Sequence, residues 1–327
     1  MAKFDYEKFN KFCELLEQGK ERDEILSEIG IAERTYYTWR KKAKYEQVKP
    51  PQLKREVDDI IKVRKEIFEY ERRKDQYFSN VPIKFKEEKA IAILFMGDPH
   101  LDNQSTDLEL FEKHLELARK NENVFIIGLG DYLDNWVGYL SKLFAKHSIT
   151  QEEAFALLKH YFDDLHILAC VLGNHDVWNL FEVYFREVLG DDCIVSEDIR
   201  LNLQFPNETN ITIRMRHSFT GRSQYNPAFP LVKQAIFNKP DDIICMGHTH
   251  QFGYQMYVQP DNKISHCFVV GSYKRFDEYG KKFMTHDTNI TPAVLAVINP
   301  SDNSFDRIKI FLDIERGIDY LNFLNSL

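Results

Sequence analysis

Ala90-Ile-Ala-Ile-Leu-Phe-Met96, followed at once by Gly97-Asp98-Pro99-His100, is the stretch on which the reading of this chain turns. An unbroken apolar run of this length predicts a strand buried on both faces. The Gly-Asp-Pro-His segment then delivers a carboxylate and an imidazole directly at the strand's carboxyl end. The same arrangement recurs downstream. Val124-Phe-Ile-Ile127 runs to Gly130-Asp131, and His166–Leu172 to Gly173-Asn174-His175-Asp176. Ile211–Met215 runs to His217, and Ile243–Met246 to Gly247-His248-Thr249-His250.

Helical spacing is predicted between these strands, over Leu108–Leu117, Leu133–Phe144, Glu152–Phe162 and Val177–Val188. Further strands are expected over Leu201–Phe205, Phe252–Val258, Ile264–Val270, Ala293–Ile298 and Phe305–Phe311. Alternating strands and helices followed by a strand-rich half predict an α/β body, two packed sheets with helices outside. Functional groups in such folds gather where strands end and short loops converge, here at one sheet edge. Asp98 and His100 are two apart, as are His248 and His250, so each pair shares one side of an extended segment. Carboxylate, imidazole and amide donors together suit Mn, Fe, Zn or Ni, with Mn favoured, rather than a thiolate-bound ion.

These pieces, in this order, resemble the signature of the calcineurin-like metallophosphoesterases over residues of about 88–315. The resemblance implies two divalent metal ions and hydrolysis of a phosphate ester. By that resemblance Asp98, His100 and His250 hold one ion, Asn174, His217 and His248 hold the other, and Asp131 bridges both. His175 faces the scissile phosphate, with Asp176 placed to polarise it. Asp134 stands where some nucleases of the family carry a histidine; its position one turn after Asp131 predicts an exposed helix surface. His114, His147, His160, His166, His266 and His286 lie outside the motifs and are read as packed or surface residues.

The first fifty residues have another texture. Phe9, Phe12, Leu15 and Leu16 recur at helical spacing, and a second helix is expected from Arg22 to Ile29 with Ile25 and Ile29 inward. A turn at Gly30 leads to a third helix carrying Arg34, Thr35, Tyr36, Tyr37, Trp39, Arg40, Lys41, Lys42 and Lys44. This is the pattern of a helix-turn-helix. Tyr36 and Trp39 are expected in its core. Arg34, Arg40, Lys41, Lys42 and Lys44 suit DNA phosphates, and Thr35 and Tyr37 suit base edges. The segment resembles the helix-turn-helix modules of transposases and phage DNA-packaging proteins, which makes DNA the expected partner. Pro50-Pro51 breaks the unit. An amphipathic helix marked by Leu53, Val57, Ile60, Ile61, Ile67 and Phe68 then serves as connector, with self-pairing into a homodimer open to it. The organisation expected is a helix-turn-helix-like domain (1–50), a helical connector (51–80) and a metallophosphoesterase domain (81–327).

Composition agrees with a soluble enzyme. Net charge is −8, which excludes a wholly basic nucleic-acid coat. The first eighty residues carry 19 Lys+Arg against 17 Asp+Glu, and the remainder 24 against 34, so the acidic excess lies in the catalytic part. Five cysteines without a CxxC pair predict reduced thiols and a cytoplasmic setting, with Cys170 and Cys245 buried. The charged opening segment does not read as a secretory leader, so none is expected, and no apolar run approaches the ~20 residues of a membrane span. Arg222, in the loop after His217, and Lys274 and Arg275, after Val269-Val-Gly-Ser-Tyr273, are the candidate cations for a substrate phosphate. A DNA-directed phosphodiesterase is the leading expectation. Phosphatase or phosphodiesterase action on a small nucleotide is the alternative, and a catalytically silent DNA-binding protein the reading from another class.

Overall fold

Helix formers at one end and buried strands at the other separate into two units, Met1–Tyr70 and Glu71–Leu327. The structure is a computed structural model that describes residues 5–47, 57–178, 181–190, 193–223, 225–260, 262–275 and 291–327. Pro50-Pro51, Leu53 and His286 lie outside these residues, as do the side chains of Lys41, Lys42 and Lys44.

The first unit contains α1 (Tyr6–Glu17), α2 (Arg22–Ile29) and α3 (Glu33–Gln47), at the predicted places. Asp5 caps α1 by accepting from the Lys8 N–H. Gly30 ends α2 at φ 68°, a left-handed conformation that glycine adopts at little cost, and its N–H donates to the Leu26 carbonyl. Phe9, Phe12, Ile25, Tyr36 and Trp39 form the core. Phe9 meets Trp39 and Phe12 meets Tyr36 edge-on, with centroids 5.5 and 5.4 Å apart. Tyr36 and Trp39 are therefore core residues, as expected. The connector helix is α4 (Val57–Phe78). Its stripe, Val57, Ile60, Ile61, Ile67 and Phe68, is exposed among the described residues.

The second unit holds two sheets. One runs β12 (Ile308–Phe311), β11 (Ala293–Ile298), β2 (Ile91–Met96), β3 (Val124–Gly128), β4 (Ile167–Val171), β5 (Ile194–Ser196). The other runs β1 (Val81–Lys84), β6 (Asp198–Gln204), β7 (Asn210–Arg216), β8 (Ile243–Met246), β10 (Ile264–Val269), β9 (Gly253–Val258). Alternation on β2 explains why its run is apolar throughout. Ile91, Ile93 and Phe95 join Leu201, Ile213, Ile243 and Phe268 between the sheets. Ala92, Leu94 and Met96 face the outer helices α5 (Leu108–Arg119), α6 (Gln151–Phe162), α7 (Phe181–Leu189) and α9 (Ile314–Ser326). Helix α8 (Phe229–Phe237) covers the outside of β8 and β10 through Leu231, Val232 and Ala235.

The structure departs from the sequence reading in places. The helix expected over Leu133–Phe144 is a loop followed by a 3₁₀ segment, Gly138–Lys146. Polar contacts pull the loop out of helix. The Asp134 N–H donates to Asp102, and Asn135, at φ 38°, donates to the carbonyls of His175 and Trp178. The helix expected from Val177 begins at Phe181. Strands β1 and β5 and helices α8 and α9 were not predicted.

Candidate metal centre

The five motifs meet, but not on one sheet. Asp98, His100, Asp131, Asn174 and His175 follow β2, β3 and β4; His217, His248 and His250 follow β7 and β8 of the facing sheet. The site straddles the carboxyl ends of both sheets, so the apolar core between them sets its spacing.

The loops that carry the donors are strained. Asp98 (φ 51°), His100 (42°), Asp131 (55°), His248 (70°) and His250 (53°) all adopt left-handed backbone. Such residues cost about 1–3 kcal/mol each and persist only where the surroundings hold them, which marks functional loops. Here the holding bonds are visible. The His248 N–H donates to both Asp98 carboxylate oxygens at 3.0 and 2.9 Å. The Asp98 N–H donates to the Gly130 carbonyl and the His100 N–H to the Asp131 carbonyl. Close approach makes two motif glycines obligatory: a β-carbon at Gly173 would collide with the Asp131 carboxylate, and one at Gly247 with that of Asp98.

Two donor groups result. In one, Asp98, His100 and His250 bring ligand atoms within 4.8 Å of one another; in the other, Asp131, His217 and His248 do so. His100 Nε2 lies 3.2 Å from His250 Nε2, and His250 Nε2 3.4 Å from Asp98 Oδ1. His217 Nε2 lies 3.2 Å from Asn174 Oδ1, 3.1 Å from His248 Nδ1 and 3.1 Å from Asp131 Oδ2. Lone-pair atoms converging at these distances suit cations. So does the orientation of the rings. His217 Nδ1 sits 2.7 Å from the Leu129 carbonyl, and His100 Nδ1 2.8 Å from Asp134 Oδ1. A ring that donates through Nδ1 presents the lone pair of Nε2 to the site. Asp131 stands with His217 and His248.

Electrostatics describe the same centre. Burial pushes the Asp131 carboxyl up, but His217, His175 and His100 outweigh it and hold it well below the usual range. Burial lowers His217, yet Asp131 and Asp98 raise it to about 10. A cation bound there would displace that proton, so uptake is linked to pH.

His175 lies beside the donors, Nε2 3.8 Å from Asp131 Oδ2. Its Nδ1 meets the Asp134 carbonyl at 2.5 Å, and the rings of Trp136 and Trp178 flank it at 4.8 and 4.7 Å. Asp176 does not polarise His175, contrary to expectation. Its carboxylate accepts the N–H groups of Asp131, Tyr132 and Gly173 at 2.7, 3.1 and 2.7 Å, which ties the two strand-end loops together. Burial and the Asp131 charge push it up to about 8 against those donors.

Asp134 is no surface residue. It is fully buried among His100, His147, Asn103 and Lys274. His147, set aside from sequence, reaches it from just after the 3₁₀ segment with Nε2 at 3.1 Å. Asp102 extends the every-second-residue pattern of Asp98 and His100, the one local signal that pointed to it. Nothing near His147 in sequence did so, because a loop and a turn separate it from every motif. Lys274 is buried against Asp134 at 3.4 Å, and Arg275 pairs with Asp107 at 3.3 Å; Arg222 is exposed. Arg34, Tyr37 and Arg40 are exposed on α3 and Thr35 half-buried, in the other unit.

No curated protein is significantly similar to the chain. Solved structures of similar fold include an archaeal phosphodiesterase, 16% identical over 68% of this chain and 99% of its own, at TM-score 0.33. Vacuolar protein sorting 29 of Cryptosporidium parvum is 14% identical over 68% and 96%, at 0.37. The NAD nucleotidase of Haemophilus influenzae is 12% identical over 68% and 49%, at 0.38. The family model described as calcineurin-like phosphoesterase matches residues 91–252, a span that includes every donor named above. With that match laid on strand-end loops that bring together Asp98, Asp131, Asn174 and four histidines, residues 91–252 belong to the calcineurin-like phosphoesterases.

Proposed function

We propose that this protein is a two-metal phosphodiesterase acting on DNA, with Mn favoured and Fe, Zn or Ni also suited to the donors. The pairing of two donor groups with a separate, non-ligating His175 carries the reading. Asp98, His100 and His250 would hold one ion and Asn174, His217 and His248 the other, with Asp131 between. Bound there, the ions would activate a water and neutralise charge growing on the phosphate oxygens.

The protein's own contribution centres on His175. Its Nδ1–H donates to the Asp134 carbonyl, which leaves Nε2 turned toward the site. Protonated at Nε2, the ring delivers that proton to the departing oxygen. Trp136 and Trp178 hold the ring plane and shield it from water. Asp176 keeps the Gly173–His175 loop in register with Asp131.

DNA is favoured as substrate by the exposed Arg34, Tyr37 and Arg40 on α3. The test compares chromogenic phosphodiester and phosphomonoester substrates, then single- and double-stranded DNA, with the full chain and with residues 1–56 deleted. The expected outcome is faster diester hydrolysis, unchanged by the deletion, and DNA binding that the deletion weakens and salt weakens steeply. Faster monoester hydrolysis favours the small-nucleotide reading instead.

A further inference from the structure

We propose that Asp134 is a positioning residue that sets the metal-binding tautomer of His100. The proposal rests on the two-metal reading above. Its backbone carbonyl meets His175 Nδ1, whereas its carboxylate acts through the His100 ring behind which it sits.

Its two carboxylate oxygens have separate tasks. Oδ1 faces His100 Nδ1 at 2.8 Å, with Lys274 Nζ at 3.4 Å. Oδ2 receives Asn103 Nδ2 at 2.6 Å and faces His147 Nε2 at 3.1 Å. The residue is held from behind by its own N–H, which donates to Asp102 Oδ1 at 2.6 Å. The side chain is 0% exposed. A buried carboxylate is costly unless it is paired and hydrogen-bonded, and here both oxygens are. Loop stitching alone accounts for Oδ2. It does not account for Oδ1, which is aimed at the one His100 nitrogen that does not face His250.

That aim has a chemical consequence. With Nδ1 2.8 Å from a carboxylate oxygen, though off the line of a straight hydrogen bond, the negative charge favours the proton on Nδ1 and leaves the lone pair of His100 on Nε2, 3.2 Å from His250 Nε2 and on the side of Asp98. The negative charge also raises the basicity of the ring as a ligand. The Lys274 ammonium balances that charge. A third cation at Asp102, Asp134 and His147 is not required, because the Lys274 ammonium already lies against Asp134.

Calorimetric titration of the full, metal-stripped chain with Mn²⁺ tests this. The wild type is expected to take up two ions. In Asp134→Ala the acceptor behind His100 is gone, and one ion is expected to bind about 10- to 100-fold more weakly while the other is unchanged; Asp134→Asn, whose amide oxygen still accepts, is expected to recover part of that loss. Asp134→Ala added to His100→Ala is expected to cost no further affinity, because the effect passes through that ring. His147→Ala, which touches only the Oδ2 side of Asp134, is expected to keep both ions. Unchanged uptake by Asp134→Ala, an additive loss in the double variant, or an equal loss in His147→Ala would each overturn the proposal. A wild type that takes up fewer than two ions would overturn the two-metal reading itself, and is told apart by that titration alone.

Discussion

The helical unit and the sheet unit bury opposite things. The core of α1 to α3 is aromatic and aliphatic, with rings meeting edge-on, and none of the described charged side chains is buried in it. The sheet unit buries Asp98, Asp102, Asp131, Asp134, Asp176 and several histidines at its strand ends, with Asp98, His100 and Asp131 on backbone held in left-handed conformations. A core of the first kind specifies a fold and leaves function to exposed side chains that could serve several partners. A centre of the second kind is expensive to assemble, so its chemistry can be read from it.

The largest expected effect separates the two units. Asp131→Ala removes the carboxylate beside His217 and His248, and turnover should fall by about a thousand-fold or more, with loss of bound metal. Elemental analysis beside a diester assay checks both. Deleting residues 1–56 should leave both measurements unchanged. Two ions still bound in Asp131→Ala would break the assignment of Asp131 between the groups, and loss of diester hydrolysis on deletion would break the division of labour.

How much was legible follows from the same contrast. The ligand residues were readable because each follows an apolar strand run, and Asn174 and His248 also follow a glycine whose hydrogen atom faces a carboxylate, Gly173 and Gly247. Helices α1 to α3 were readable from spacing and from Gly30. The 131–137 loop was not, because its shape is set by long-range bonds to Asp102, His175 and Trp178. For the same reason Asp134 was taken for a helix surface and His147 for a bystander. Asp176 was misread because an Asp next to a catalytic His suggests a pair, whereas its oxygens face three backbone N–H groups. The sharing of the site between two sheets was also hidden, since strand order is not written in local pattern.

A smaller effect sharpens the role of His175. His175→Ala should keep metal content and lose about 100- to 10,000-fold in turnover, the usual worth of a general acid. The loss should be least with a substrate whose leaving group needs no proton, such as nitrophenolate. An equal loss with good and poor leaving groups would assign His175 to binding the phosphate instead.

The smallest effect is on stability, and it again divides the units. His114 and His266 are pushed down to about 4 by burial, chiefly desolvation, and each hydrogen-bonds a tyrosine hydroxyl through Nδ1 at 2.8 Å. Their ordinary value is 6.5. A histidine depressed in the folded state binds its proton more readily unfolded, so its contribution is complete above about 6.5 and lost as pH falls toward 4. The chain's first histidine is His100, so the helical unit has no such group. Asp176, pushed up to about 8, pulls the other way over the same range, so the histidines are read against a variant. His266→Gln keeps a polar partner for Tyr254 without a titrating ring; in scanning calorimetry of the metal-free protein, lowering the pH from 7.5 to 5.0 should depress the sheet unit's transition roughly 2 °C or more further in the wild type than in this variant, while that of the helical unit is the same in both. Equal shifts of the sheet unit in wild type and variant would mean that carboxylates govern its acid response, and the buried histidine would no longer distinguish the units.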